Sequence, residues 1–189
     1  MSADLTAHLR DLSATAAKAA ETLGPSIEKA AAMVQATVNR GGTLFFCGNG
    51  GSAADAQHLA TEYVVRYQRE RRAIAAIALT TDTSLLTAAA NDYSFDVIFA
   101  RQIEALGKPG DLLVMHTTSG KSANLLRAAE AAKKKGVGTL ALSAKGGGPL
   151  AAAVDHCIIV PTDRTDRAQE IQLAIQHAIC DRIDAGAAK

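Results

Sequence analysis

Phe45-Phe46-Cys47-Gly48-Asn49-Gly50-Gly51-Ser52-Ala53-Ala54-Asp55-Ala56-Gln57-His58-Leu59-Ala60-Thr61-Glu62 is the stretch whose reading decides the fold. Thr43 to Cys47 is short, apolar and aromatic, the pattern of a buried strand. Gly48, Gly50 and Gly51 allow positive φ and let a ligand approach the backbone closely. A helix follows, with Ser52 as its expected N-cap. The backbone N–H groups of such a turn form an anion site. His58 and Glu62 are four residues apart, which on a helix places them on one face, about 6 Å apart along the axis. A phosphate cradle and a His/Glu pair on one helix point to chemistry on a phosphorylated substrate.

The rest of the chain extends this unit into an alternating pattern. Upstream, residues 3–40 are Ala-rich, with Leu5, Leu9, Leu12, Ile27, Met33, Val34 and Val38 at helical spacing. Gly24-Pro25 divides them into two expected helices, Pro25 suiting a first turn. Such small-faced helices fit an arm packed on the domain or on another subunit. Downstream, a second strand is expected over Ile74 to Leu79, then helices over Ser84 to Ala90 and Phe95 to Leu106, interrupted at Asn91-Asp92. A third strand, Asp111 to His116, leads into Thr117-Thr118-Ser119-Gly120-Lys121-Ser122 and a helix ending at Gly136. A fourth strand (Val137 to Leu142), a Gly146–Pro149 loop with a short helix, a fifth strand (His156 to Val160) and a last helix (Asp166 to Asp184) complete the pattern. Alternation of strands and helices means α/β with a parallel sheet. We read one domain over 1–189: a helical arm at 1–40, an α/β core at 41–184 and a frayed tail at 185–189.

Composition excludes several classes. The formal net charge of +1 creates no field to recruit nucleic acid or an anionic membrane. Trp is absent and aromatics are only 4%, too few for the stacking platforms of a single-strand binder. No run is long and apolar enough to span a bilayer, and Met1 to Arg10 lacks a signal core. Cys47, Cys157 and Cys180 read as reduced thiols of a cytoplasmic protein.

In an open parallel sheet, ligands bind beyond the carboxyl ends of the strands. The turns after the first and third strands lie there, and the second offers Thr117, Thr118, Ser119 and Ser122 as hydroxyl donors to a phosphate monoester. It is not a Walker loop, because Met115 stands at the first glycine position. Gly48-x-Gly50-x-x-Ala53 matches a dinucleotide fingerprint only loosely: Glu70 lies in a charged run and Asp82 comes too late to serve as its acidic partner. Arg66 is expected one turn beyond Glu62 on the same face, as a phosphate or carboxylate contact. His8 and His156 read as structural or solvated, while His116 is open between roles.

Taken together, several motifs resemble one family. Cys-Gly-Asn-Gly-Gly-Ser-Ala-Ala-Asp-Ala-Gln-His at 47–58 is similar to the signature of phosphoheptose isomerases of the sugar-isomerase (SIS) fold. So are Ala-Leu-Thr-Thr-Asp at 78–82, Ala-Asn-Asp-Tyr at 90–93, Phe-Ala-Arg-Gln at 99–102, Thr-Ser-Gly-Lys-Ser at 118–122, and Arg167-Ala168-Gln169-Glu170 with His177 beyond. The resemblance implies a three-layer sandwich around a five-stranded parallel sheet in the flavodoxin-like order 2-1-3-4-5. It also implies a homotetramer with sites between subunits, and conversion of sedoheptulose 7-phosphate to D-glycero-D-manno-heptose 7-phosphate at the start of bacterial heptose synthesis. Family metal ligands, usually for zinc, map onto His58, Glu62, Gln169 and His177. Phosphate contacts map onto the 117–122 turn with Ser52 and Arg66, and further substrate contacts onto Asn49, Gly50, Gly51, Asn91, Asp92, Asp166 and Gln169. The chain departs from the family pattern at Gln172, where a histidine is common, and at Ala168, Thr117 and Ser143-Ala144; the usual proline before the second strand is absent.

Aldose–ketose isomerisation moves a proton between adjacent carbons through an enediol. It needs a base at carbon, a proton carrier at oxygen and a group to stabilise the oxyanion. Glu62 is the candidate base and His177 the candidate acid/base partner, with zinc polarising the carbonyl; Glu62 stands open as ligand, base or both. Two other readings remain: a non-catalytic adaptor of the type that associates with the DnaA replication initiator, and an isomerase of another phosphosugar. Retention of both Glu62 and His177 favours an enzyme over an adaptor.

Overall fold

Continuous apolar strands need cover on both faces, and in the computed structural model, which describes residues 4–187, they have it. The elements run α1 (Leu5–Asn39), β1 (Leu44–Gly48), α2 (Gly51–Val64), β2 (Ala76–Ala78), α3 (Thr83–Asp92), α4 (Ala100–Leu106), β3 (Leu112–His116), α5 (Ala123–Lys135), β4 (Gly138–Ser143), α6 (Gly148–Ala153), β5 (His156–Ile159) and α7 (Thr165–Ala187). The strands form one parallel five-stranded sheet in the order β2-β1-β3-β4-β5. Successive side chains alternate between faces. Leu44, Phe46, Leu112, Val114, Leu140 and Leu142 enter a core closed by α1, α2 and α7. Phe45, Cys47, Leu113, Met115 and Ala141 enter a second core beneath α3, α4, α5 and α6. The three-layer expectation holds, and strand limits fall within a residue or so of those read from sequence, except at β2. That edge strand pairs only with Leu44–Phe46 of β1, so the pairing is confined to three residues, and Ile77 is left largely exposed.

Four local expectations are corrected. The arm is one helix, not two, and Pro25 lies inside it. A proline in a helix interior removes one hydrogen bond at a cost of about 3 kcal/mol. Here it sits on the exposed side, while Leu23 and Ala30 on either side of it are buried in the same core. His156 Nε2 meets Ser26 O at 2.8 Å and Ser26 Oγ at 3.1 Å, fixing the turn just past the proline to β5. Asn91-Asp92 does not interrupt α3 either. The break follows at Tyr93-Ser94, where Ser94 Oγ accepts from Asp96 N at 3.2 Å and starts a single 3-10 turn, Phe95–Val97.

The tail is helical as far as Ala187, with residues 188–189 of the expected frayed segment outside the described range, as are residues 1–3 of the arm. Gly186 lies so close to α1 that a Cβ there would be 3.1 Å from Gln35 Oε1. Finally, Ser52 does not cap α2. Gly50 does, at φ 58°, and Ser52 is buried within the first turn.

The start of α7 is pinned to α1 by Arg167, which is fully buried. Its guanidinium donates to His8 O at 3.0 Å and faces Glu170 at 3.0 Å, Asp166 at 3.3 Å and Asp11 at 3.5 Å. Three carboxylates around one buried cation fix the helix that carries Gln169 and His177.

Candidate active site

β1 and β3 are parallel neighbours with Gly48 opposite His116. The turns leaving them therefore start side by side, at the point where the strand order reverses and ligands bind in such sheets. In the first turn only Gly50 uses positive φ. Gly48 and Gly51 are needed for close approach instead: a Cβ on Gly48 would lie 2.5 Å from Ser52 O, and one on Gly51 would lie 2.7 Å from Gln169 Nε2. The two turns are tied together by a reciprocal amide pair. Asn49 Nδ2 donates to Asn124 Oδ1 at 3.0 Å and Asn124 Nδ2 donates back to Asn49 Oδ1 at 2.9 Å.

The second turn presents hydroxyls at the start of α5. Thr117 Oγ1 accepts from Gly120 N at 3.2 Å and Ser119 Oγ from Lys121 N at 3.3 Å, which sets the loop's shape. Ser122 is the N-cap residue of α5, yet its side chain makes no cap bond. Its hydroxyl and the helix N-terminus are available to an anion. Thr118, Ser119 and Ser122 are half-buried. Gly120, at φ 62°, packs so tightly on the following glycine loop that a Cβ would fall 1.8 Å from Gly147 O.

His58 and Glu62 share a face of α2, as their spacing requires, and His177 reaches them from α7. His58 Nε2 is 3.1 Å from Glu62 Oε1 and 3.3 Å from His177 Nε2. One ligand atom from each of the three lies within 4.8 Å of the other two. A tetrahedral zinc site with bonds of 2.0–2.1 Å has ligand–ligand edges of about 3.3 Å, so both measured edges suit such an ion. The His177 pKa is lowered, first by burial and next by the neighbouring His58, with Glu62 opposing. A neutral imidazole is what a metal ligand or a proton acceptor needs. The Tyr67 ring stacks on His177, 5.2 Å between centroids and 19° between planes.

The other candidates are placed as follows. Gln169 lies two turns before His177 on α7, its amide against Gly51, and among the described residues no hydrogen bond joins it to the three. Arg66 is not one turn beyond Glu62 on the helix, because α2 ends at Val64; its guanidinium is half exposed, 3.8 Å from Glu70. Asn91 donates to Asp92 Oδ1 at 2.9 Å on the exposed end of α3. Asp166 is held by Arg164 at 2.5 Å and by Arg167, and Arg164 foremost keeps its carboxyl well below the usual range. Asp55 has one buried carboxylate oxygen without a partner, and burial raises its pKa against the pull of His58.

Residues that no local pattern announced also shape the site. Gln172 donates to Thr117 O at 2.7 Å, joining α7 to the hydroxyl turn. One turn on, Gln176 Nε2 meets His116 Nε2 at 3.2 Å. His116 is fully buried against Phe46, and burial depresses its pKa to about 4. The unfolded chain takes up a proton there near pH 6.5, the native state only near pH 4. Stability at this residue is therefore full above pH 6.5 and falls as pH drops towards 4, by roughly 3 kcal/mol in all. We expect His116→Phe to flatten the fall in urea-unfolding free energy between pH 7 and 4.5; equal slopes in the two proteins would contradict this.

Comparison with known proteins identifies the family. The SIS domain family profile matches residues 7–144, so the chain belongs to that family. The phosphoheptose isomerase of Rhodospirillum rubrum is 51% identical over 160 residues, 85% of each chain. That of Bordetella avium is 46% identical over 188 residues, 98% of this chain and 95% of its own. The solved phosphoheptose isomerase from Neisseria gonorrhoeae superposes with a TM-score of 0.91 at 41% identity, covering 96% of this chain and 97% of that one. Within the SIS family, the chain belongs with the phosphoheptose isomerases.

Proposed function

We propose that this protein interconverts sedoheptulose 7-phosphate and D-glycero-D-manno-heptose 7-phosphate through an enediol, supplying bacterial heptose and hence lipopolysaccharide synthesis. The observation that carries this reading is the convergence of His58, Glu62 and His177, with edges of 3.1 and 3.3 Å, in a fold whose hydroxyl turn leaves the Ser122 side chain without a cap bond. The substrate's phosphate would be gripped by Thr117, Thr118, Ser119, Ser122 and the α5 N-terminus. Asn49, held by Asn124, and the Gly50-Gly51 backbone would face its hydroxyls. Ser52, Arg66, Asn91, Asp92, Asp166 and Gln169 remain proposed substrate contacts.

His58, Glu62 and His177 fit a bound zinc ion, with Gln169 as the further proposed ligand. When bound, the ion supplies a Lewis acid that polarises the C2 carbonyl. Glu62 has two oxygens: Oε1 faces His58, which leaves Oε2 to take a proton from C1 of the ketose, exchange it with solvent at this partly exposed carboxyl, and deliver one to C2. As that proton moves, O2 must gain one and O1 must lose one. Neutral His177 is suited to carry it when not itself a ligand.

The single chain leaves the site open: His58 is 43% exposed at its side chain, Val64 and Val65 are exposed just after Glu62, and Tyr93 and Phe95 are exposed just after Asn91-Asp92. These features support a homotetramer with sites at subunit interfaces, in which Asn91 and Asp92 would approach a site across a contact. Among the described residues no helix is long and apolar enough to cross a membrane. All three cysteines are free, which supports a cytoplasmic protein.

The test is to incubate protein and zinc with sedoheptulose 7-phosphate, and separately with shorter ketose phosphates, and to follow aldose formation by NMR. We expect turnover of the heptulose in preference to the others. Turnover of none would favour the adaptor reading, and preference for a shorter ketose the other-phosphosugar reading.

A further inference from the structure

A fully buried ion pair lies two turns of α7 beyond His177. Arg71 is 1% and Asp184 0% exposed at the side chain, and Arg71 Nε donates to Asp184 Oδ1 at 2.6 Å. Neither residue touches the proposed reacting groups, but every other hydrogen bond they make is to backbone: one to Arg72 O at 2.9 Å, the rest to the end of α2 and the loop that follows it. Arg71 donates to Glu62 O at 2.6 Å and to Tyr63 O at 2.9 Å. These are among the last carbonyls of α2, which a helix terminus leaves without helical partners; Tyr63 O also accepts from Ile74 N at 3.1 Å. The other oxygen of Asp184 accepts three consecutive N–H groups, from Tyr67 at 3.2 Å, Gln68 at 2.8 Å and Arg69 at 3.0 Å. Successive N–H groups converging on one carboxylate form a fixed nest, so the shape of the loop after α2 is templated on a side chain of α7. Arg69 adds an ion pair to Asp181 at 3.7 Å.

We propose that Arg71 and Asp184 are a positioning unit for the isomerase site: acting through backbone, they hold the end of α2 and the Tyr67 loop so that Glu62 and the Tyr67 ring both meet His177. The proposal rests on the reading of Glu62 and His177 given above. His177 and Asp184 are seven residues apart, about two turns, and so share a face of α7. One helix thus presents the imidazole and, about 10 Å on, the carboxylate that shapes the loop stacking on it. Desolvating an ion pair is costly, and apolar residues of similar volume often replace one without loss of stability. Apolar residues could not hold two named carbonyls and three N–H groups in fixed directions.

The test compares the wild type with Asp184→Asn and Arg71→Lys in the zinc-loaded protein. We expect kcat to fall about 10–100-fold with KM changed less than about threefold, while circular dichroism shows a folded chain. In NMR spectra of the metal-free protein, the His177 ring protons should lose the upfield shift imposed by the Tyr67 face, and should lose it likewise in Tyr67→Leu. Ile183→Val, a core change on the same helix, is the control: it should lower thermal stability without changing kcat or the His177 shift. If Asp184→Asn does not fold, Arg71→Lys carries both readouts, since it keeps the charge but loses the fork. A wild-type kcat and an unmoved His177 shift in the folded variants would overturn the proposal, as would an equal loss of kcat in Ile183→Val. The ring-proton readout is independent of turnover, so it judges the clamp even if Glu62→Gln were to retain activity and so refute the reading of the site.

Discussion

Glu62→Gln is expected to lower kcat for sedoheptulose 7-phosphate by at least about a thousandfold, within the range that removal of a general base produces, while the chain stays folded. The amide keeps the shape of the side chain but cannot accept a proton from carbon. The structure limits collateral damage: Glu62's carboxylate is partly exposed and near His58, whereas its backbone carbonyl, not its side chain, is bound by Arg71. KM should change little, because the proposed phosphate grip lies in the 117–122 turn. A kcat within tenfold of the wild type, measured at saturating substrate and zinc, would remove Glu62 as the base.

His58→Ala is expected to abolish stoichiometric zinc. His58 Nε2 is the atom shared by both short edges of the cluster, 3.1 Å to Glu62 and 3.3 Å to His177. Its loss leaves Glu62 and His177 with only the neutral amide of Gln169 as a further proposed ligand, a weaker set than the His, Cys and carboxylate donors zinc takes. We expect elemental analysis after dialysis to give about one zinc per chain in the wild type, little in His58→Ala, and turnover to be lost in proportion. Because the His58 ring is exposed, its truncation should leave thermal unfolding of the metal-free chain almost unchanged. Unchanged zinc in the variant would reject His58 as a ligand.

How much of this could be read from the sequence followed the range of the interactions involved. The β1 strand, the glycine turn and the α2 face lie within one run of about twenty residues, and their chemistry is set by local spacing. The hydroxyl turn after β3 was legible for the same reason. Alternating strands and helices gave the parallel sheet, because connections of that length require it. What stayed hidden depends on partners distant in the chain. Asn49 finds Asn124 75 residues on, and Arg71 finds Asp184 113 residues on. Neither pair has a local signature.

The misplaced boundaries have the same origin. Pro25 looked like a break because its local cost is visible in sequence, whereas the burial of Leu23 and Ala30 that carries the helix through it is not. Arg66 looked like the next turn of α2 because nothing in the sequence shows that Arg71 folds back to cap that helix at Glu62 and Tyr63. Ser52 resembled a cap, but Gly50 at positive φ starts the helix earlier and turns Ser52 inward. The convergence of α7 on α2 was inferred from a resemblance, since eight residues separate Gln169 from His177 and no spacing rule brings a last helix onto a second one.

The most direct measurement is turnover of sedoheptulose 7-phosphate by the zinc-loaded protein in D2O, with the aldose product analysed by NMR and mass spectrometry. Proton transfer by Glu62 through an enediol predicts solvent deuterium at C2 of the product. Aldose formed at the full rate with no deuterium at C2 would mean that the hydrogen is carried from C1 to C2 without exchange, and would contradict transfer by a carboxylate open to solvent, as Glu62 is here.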